Sequence, residues 1–301
     1  MTLKLGIIGL SDGNGHPYSW SAIFNGYNTV EMEECGYPVI PRYLEQQKWP
    51  YSQIKEADVI AIWTQDLELS NHIAKATNIE NVVNNYTDMI GMVDAVLLAR
   101  DDAENHLHFA EPFLKAGIPI YIDKPIALSL HDLEKLYSLE QYPGQIFTCS
   151  ALRYSHELSL NTQEREELGE ILTISAFTPK SWNKYAVHII EPVLNNILDK
   201  KDIPIKCVSA KPINPESTAG SLIVHWDSGI QTNFFATDNA LNPITIRVCG
   251  TKGWKDLVFT DSFTAFREAL KTFVTGILEQ TPMSPKSFNT QVVKLIEEGQ
   301  K

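Results

Sequence analysis

What this chain does without narrows what it is. Its four cysteines, Cys35, Cys149, Cys207 and Cys249, are scattered and show no CxxC spacing. That excludes a zinc site or a disulfide frame built on them and fits the reduced thiols of a cytoplasmic protein. There is no basic cluster, and the net charge is −12, which argues against nucleic acid or an anionic membrane as partner. No apolar run approaches the roughly 18 residues of a membrane span, and the opening MTLKLGIIGL is too short for a signal peptide. Internal repeats, low-complexity segments and a strict GxGxxG motif are also missing. What is present is an ordinary globular composition, 44% hydrophobic and 21% charged over 301 residues, enough for two domains with a sizeable core.

The first half alternates short apolar runs with helical spacing. Strands are expected at 4–8, 59–64, 81–83, 94–99, 118–122 and 146–150, and helices at 67–77, 86–93, 103–116 and 130–139. Such alternation predicts a Rossmann-type, doubly wound parallel sheet with helices on both faces, an α/β domain. The segment 25–56, with Pro38, Pro41 and Pro50, has no clear strand and reads as an insertion in the first crossover. After about residue 152 the pattern changes to β-like runs at 169–178, 205–212, 220–226, 230–236 and 244–249. Asp227-Ser228-Gly229 marks a hairpin between two of them. Helices are expected at 186–198 and 262–278. The second half is therefore an α+β domain with an open, mostly antiparallel sheet. The division expected is a dinucleotide domain over 1–125, completed by elements to about 150, and a substrate and oligomerisation domain over 151–301. The last helix is a candidate to pack back on the first domain.

Residues 94–125, DAVLLARDDAENHLHFAEPFLKAGIPIYIDKP, are the most informative stretch. A buried strand, a helix stopped by Gly117 and a second apolar strand place Lys124 at the carboxyl end of a parallel strand, where open α/β sheets bind ligands. Pro125 fixes the backbone just beyond it and biases Lys124 toward an extended conformation. The plain alternative is a solvated lysine after a strand. Strand one runs into LSDGNGHPYSW, where Gly9, Gly13 and Gly15 supply the freedom a pyrophosphate-binding turn needs, although a Gly/Asn-rich turn accounts for them equally well. With the insertion set aside, Asp66 falls just past strand two, where a carboxylate would hydrogen-bond a ribose 2′-hydroxyl and favour NAD over NADP. Its separation from Gly15 is 51 residues, against the usual ~20. Asp66 also reads as the cap of the helix that follows, and both roles are compatible.

Taken together, these pieces resemble the Gfo/Idh/MocA oxidoreductase family, over most of the chain. The resemblance is carried by LGIIGL, by DAVLLA, by His106 ahead of Gly117, and by IDKPIALS, which looks like the family's EKP signature with Asp123 in place of Glu. Arg153-Tyr154 and NKYAVHIIEP, residues 183–192, look like its substrate-domain motifs. The resemblance implies a Rossmann domain followed by an open-sheet α/β domain, a bound nicotinamide dinucleotide (NAD, with NADP still open), and oxidation or reduction of a sugar or cyclitol hydroxyl. Lys124 is implied to lie by the nicotinamide ribose and reacting hydroxyl, His188 to be the general acid/base and Tyr185 its neighbour, with Lys124 and Pro125 on the cofactor side. Glu191 stands where the family often has Asp. Two departures are visible: the enlarged glycine loop, and Arg100-Asp101-Asp102 in place of the usual Thr-Pro pair.

Elementary chemistry agrees with these roles. Taking a hydride from a secondary alcohol needs a base for the hydroxyl proton, and an imidazole suits that task near neutral pH. Tyr185, His188 and Glu191 recur at three-residue spacing on one helical face, so a carboxylate is expected to orient the histidine. A histidine on a packed face is the alternative. Lys124 would stabilise alkoxide character. His106 and His108 lack carboxylates at ligand spacing, so no metal is expected; His106 is expected to cap or line the cofactor groove. His16 either meets the pyrophosphate or stabilises the turn. Trp182 and Lys180 either close over a sugar or belong to loop packing, and Arg153 either meets an anionic substrate group or pairs with an acidic side chain. Tyr154 goes with the substrate set.

The function expected is an NAD(H)-dependent sugar oxidoreductase, with nucleotide-linked sugars and surface-polysaccharide pathways among the candidates. Transient oxidation leading to elimination is a variant within the family. The alternative is a sugar- or nucleotide-responsive binding protein on the same fold. An open sheet face suggests self-association, and the resemblance implies a homodimer or homotetramer.

Overall fold

The computed structural model describes residues 2–301, which divide into two compact units. The first comprises Met1–Ala127, His131–Thr148 and Phe266–Pro285. Its elements are β1 (Leu3–Ile8), α1 (His16–Asn25), α2 (Thr29–Glu33), α3 (Val39–Glu45), β2 (Ala57–Trp63), α4 (Leu67–Ala76), β3 (Asn81–Val82), β4 (Ala95–Leu98), α5 (His106–Lys115), β5 (Ile120–Ile122), α6 (Leu130–Ser138) and β6 (Ile146–Phe147). The six strands are all parallel, in the order β3-β2-β1-β4-β5-β6. The order reverses direction between β1 and β4, the switch point at which such sheets open a crevice beyond their carboxyl ends. β4 is buried along its whole length, as a strand covered on both faces must be. Trp20 stacks on Tyr121, which meets Phe147 edge-on, and Phe273 packs tilted against both Tyr121 and Phe147.

Local chemistry explains most boundaries. The helix expected at 103–116 forms, with a 3-10 turn at its start, and stops before Gly117 at φ 75°. The helix expected at 86–93 does not form: only a 3-10 turn, Tyr86–Met89, is present. Gly91 at φ 87° turns the chain away directly after it. The segment 25–56 holds α2 and α3 and no strand.

The second unit comprises Leu128–Leu130, Cys149–Ala265 and Lys286–Lys301. It contains α7 (Thr162–Leu168), β7 (Ile171–Thr178), α8 (Trp182–Tyr185), α9 (Val187–Pro192), β8 (Pro204–Ala210), β9 (Gly220–Trp226), β10 (Gln231–Ala236), β11 (Thr245–Gly250) and β12 (Trp254–Val258). α10 (Ser262–Leu278) belongs to the first unit from Phe266 onward, and α11 (Lys286–Glu298) to the second. The sheet runs β12-β11-β7-β10-β9-β8, antiparallel throughout except for β7 with β10. Gly229 at φ 88° makes the β9–β10 hairpin at the expected break. Alternate residues of β7, β9, β10 and β11 point into one core with α9 and α11. α7, β12 and α11 were not anticipated. α7 had a legible start, since Asn161 and Glu164 form a reciprocal capping box.

Candidate functional site

In the first unit the candidate residues gather where β1, β4 and β5 end. Lys124 follows β5; it is 5% exposed, and its Nζ lies 3.5 Å from the Asp101 carboxylate. Asp101 also accepts the Ser11 hydroxyl at 2.7 Å, while the Asp101 N–H donates to Ser11 Oγ at 3.0 Å, which ties the end of β4 to the loop after β1. Asp123 is buried. It accepts the Asn14 amide at 2.9 Å and the Lys124 N–H at 2.8 Å, and it lies 2.6 Å from His16 Nδ1. The His16 ring is stacked on Trp20. Arg100 pairs with Asp102 at 2.6 Å and donates to the Leu10 carbonyl and to Gln65 Oε1, both at 3.1 Å. Gln65 in turn bonds both backbone groups of Leu10. Burial alone would raise the Asp102 carboxyl, but hydrogen bonds from Arg100 and Asn105 outweigh it and hold Asp102 below the usual carboxylate range. The Arg-Asp-Asp sequence after β4 therefore works as a brace: Arg100 reaches the ends of β1 and β2, and Asp101 holds Lys124.

The fit of a dinucleotide to this end is mixed. A Cβ on Gly9 would lie 2.4 Å from Pro17, and one on Gly15 2.7 Å from Ile40. Both glycines are thus required by the protein's own packing. Gly13, at φ 74°, has nothing within 4 Å of where a Cβ would stand, so it leaves the open backbone approach that a phosphate needs. The first turn of α1 offers less than a usual helix N-terminus: Asn14 Oδ1 already accepts the His16 N–H, and Pro17 has none. The residues that fit a nucleotide are therefore Gly13 at the loop and Lys124 and Pro125 beyond β5, whose connecting peptide is cis. Asp66 caps α4, accepting the N–H groups of Glu68 and Leu69 at 2.8 and 3.2 Å. His106 is fully buried; its ring nitrogens face the Ile126 and Arg100 carbonyl oxygens at 3.0 and 2.7 Å. It joins the brace from inside and does not line a groove, a correction to its expected role. Among the described residues no cluster of His, Cys, Asp and Glu could hold a metal.

In the second unit His188 Nδ1 meets the Ser150 hydroxyl at 2.8 Å, and the Tyr185 ring stands edge-on to the imidazole at 5.1 Å. Glu191, the carboxylate expected to orient the histidine, is engaged elsewhere. Glu191 is buried, accepting Arg153 Nε at 2.8 Å and the Ser150 N–H at 2.9 Å. Burial pushes its carboxyl up, against the pull of Arg153. Its link to His188 is indirect, through Ser150. Arg153 is thereby an ion-pair partner, stacked 4.3 Å over Phe288, and not an exposed anion receptor. Tyr154 ends the 3-10 turn that begins after Ser150. Trp182 is also corrected: it is buried, its Nε1 donates to the Ile296 carbonyl at 2.9 Å, and its ring is confined by Gly220 and Gly299. It anchors α8 and presents no face to a sugar. Sequence reasoning missed Ser150, which carries no motif of its own, and the His16–Asp123 pair, whose partners are far apart in the chain.

Residues 36–150 match the model of the Gfo/Idh/MocA family, described as an oxidoreductase family with an NAD-binding Rossmann fold. The resemblance to the Gfo/Idh/MocA family is borne out. The matched segment runs from the loop before α3 to the Ser150 that meets His188, and so includes the Arg-Asp-Asp brace and Lys124. In fold the chain is similar to myo-inositol 2-dehydrogenase from Lactobacillus plantarum, with 15% identity, 100% of this chain and 96% of that chain covered, and a TM-score of 0.73. It is similar also to apo scyllo-inositol dehydrogenase from Lactobacillus casei, at 16% identity, 99% and 96% coverage and TM-score 0.71. A third likeness is UDP-N-acetylglucosamine 3-dehydrogenase from Acidithiobacillus ferrooxidans, at 12% identity, 99% and 97% coverage and TM-score 0.68. No curated protein matches the chain in sequence.

Proposed function

We propose that the protein is an NAD(H)-dependent oxidoreductase acting on a hydroxyl or carbonyl carbon of a sugar or cyclitol, with nucleotide-linked sugars included in the class. The observation that carries this reading is Lys124, a lysine held nearly buried beyond β5 by Asp101 in a Gfo/Idh/MocA Rossmann domain. NAD, when bound, supplies the hydride acceptor or donor. Lys124 stabilises negative charge on the substrate oxygen. His188, oriented by Ser150, takes or gives the hydroxyl proton, and Tyr185 beside it holds the substrate oxygen. The inositol and UDP-sugar dehydrogenases of similar fold support the substrate class. Asp66, already a helix cap, remains the candidate for the ribose hydroxyls.

Self-association through the second sheet belongs to the same reading. Its uncovered face carries Phe177 and Phe235 stacked at 5.0 Å, with Val208, Trp254 and Val258 exposed on the two edge strands. Sedimentation that gives a monomer would remove this part. A cytoplasmic location is proposed from four scattered cysteines that form no disulfide among the described residues.

One observation favours a second reading, a non-catalytic binding protein: two of the three loop glycines and the first turn of α1 are committed to the protein's own contacts. Titration with NADH and NADPH, followed by nicotinamide fluorescence, separates the two. NADH binding, together with turnover of myo-inositol, scyllo-inositol or UDP-N-acetylglucosamine that is lost in Lys124→Ala and His188→Ala, supports the enzyme. Turnover that survives both substitutions refutes the assigned roles, and failure to bind either dinucleotide leaves the binding protein.

A further inference from the structure

Lys180 lies two residues past β7 and two before α8, and three independent features single it out. Its backbone is left-handed, φ 64°, a conformation that non-glycine residues rarely adopt. It forms an isolated bridge with Asp238, which is itself left-handed at φ 55°, through hydrogen bonds of 2.7 and 3.0 Å. The Asp238 carboxylate is in turn fixed by the Ser217 and Thr218 hydroxyls at 3.0 and 2.7 Å. Two unfavourable conformations are thus locked against each other by a braced loop. The result is to hold the Lys180 ammonium 2.5 Å from the Tyr185 hydroxyl oxygen and 4.6 Å from the ring centroid. Strain held in place by surrounding bonds is characteristic of functional positions.

The hydrogen-bond inventory then fixes the direction. An ammonium only donates, so Tyr185 Oη accepts from Lys180 and its own proton is directed elsewhere. Two other site cations stand against carboxylates: Lys124 against Asp101 and Arg153 against Glu191. The exposed Lys180 stands against a phenol and brings its positive charge to that oxygen. Tyr185 is also in edge contact with His188.

We infer that Lys180 is a positioning residue that commits the Tyr185 hydroxyl to donating toward the substrate oxygen whose proton His188 handles. This rests on the substrate-side roles proposed above for Tyr185 and His188. Lys180 supports negative charge on the Tyr185–substrate pair as the proton moves, through Tyr185 and without touching the reacting carbon.

The bond is read first without any substrate, by the 13Cζ resonance of Tyr185, identified through its loss in Tyr185→Phe. The resonance is expected to shift in both Lys180→Met and Lys180→Gly and to stay near the wild-type position in Lys180→Arg. Glycine relieves the left-handed strain, so Lys180→Gly is expected to be at least as stable as the wild type, and a folding defect cannot stand in for the effect. With NAD and whichever of the three probe substrates the wild type turns over, kcat is expected to fall about a hundredfold in both variants. NADH affinity should stay within about twofold, and adding Lys180→Met to Tyr185→Phe should cost nothing more. An unmoved resonance overturns the proposal, as does wild-type kcat in Lys180→Gly. If NADH binds and no probe is turned over, the substrate class above fails, and the resonance alone decides the Lys180–Tyr185 pair.

Discussion

Gly299→Ala is a one-methyl test of how the second unit holds α8. Gly299 follows α11 and is buried. A Cβ there would stand 2.0 Å from Trp182 Cζ2, 2.3 Å from Cε2 and 2.7 Å from Nε1. The indole has no room to retreat, because Gly220 lies against it so closely that a Cβ there would come within 2.9 Å of Trp182 Cβ and Cγ. Either the indole moves and loses its 2.9 Å bond to the Ile296 carbonyl, or the end of α11 unwinds. Overpacking costs about 1–3 kcal/mol, and a buried donor left unsatisfied costs about 1–3 kcal/mol more, so a loss near ~3 kcal/mol is expected. For a chain of this size that lowers Tm by roughly 6–12 °C. Gly253→Ala is the control, since its Cβ would meet nothing nearer than 3.6 Å and its unfolded-state effect is the same. Urea unfolding followed by tryptophan fluorescence should separate the two, and Trp182→Phe should recover part of the Gly299→Ala loss. Equal stability of the two alanine variants would refute the wedged-indole account.

Three further outcomes follow from particular contacts. Asp102 is held below the usual carboxylate range in the folded state. Its stabilisation is therefore complete above the unfolded value of about 3.9 and is lost as pH falls through the lower folded value. Asp102→Asn should cost about 1–3 kcal/mol at pH 7 and much less in strong acid, so urea midpoints that fall in parallel with pH would contradict this. Asp66→Ala should cost about 1 kcal/mol through the lost cap of α4. NADH affinity measured on the same variant decides the ribose role: a drop of about tenfold supports it, and no drop leaves Asp66 a cap alone. Arg153→Ala leaves the buried Glu191 carboxylate unpaired and should destabilise by ~3–5 kcal/mol; adding Glu191→Gln should restore part of it, and equal unfolding midpoints for the single and double variants would refute the pairing.

The sequence made the sheets legible because their signals are local. The apolar run at β4, the stop at Gly117 and the break at Asp227-Ser228-Gly229 each act within a few residues, and each appears where expected. The helix expected at 86–93 failed because its apolar spacing outweighed Gly91, a residue that turns the chain at φ 87°. α11 was legible in principle, since Phe288, Val292, Val293, Leu295 and Ile296 fall at helical spacing. In the candidate site, motifs mark Lys124, Tyr185 and His188 in the sequence. The site was not legible where a side chain's partner lies far along the chain. Three-residue spacing put Glu191 on the face of His188, but Arg153, 38 positions away, claims its carboxylate. Trp182 looked suited to a sugar face, yet its partners are Gly220 and Gly299.

The same logic explains why the departures from the family pattern come together. A loop longer than GxGxxG moves its glycines into packing against Pro17, Tyr37 and Ile40, and something else must then hold the end of β1 in register with its neighbours. Arg100 does so through the Leu10 carbonyl and Gln65, and Ser11 does so through Asp101. A Thr-Pro pair after β4 would offer neither a guanidinium long enough to reach β2 nor a carboxylate for Lys124. The Arg-Asp-Asp sequence supplies both, so the enlarged loop and the altered turn after β4 are one structural change and not two. Asp101 is its pivot, because its carboxylate joins the loop, at Ser11, to the ammonium of the lysine on which the proposed chemistry depends.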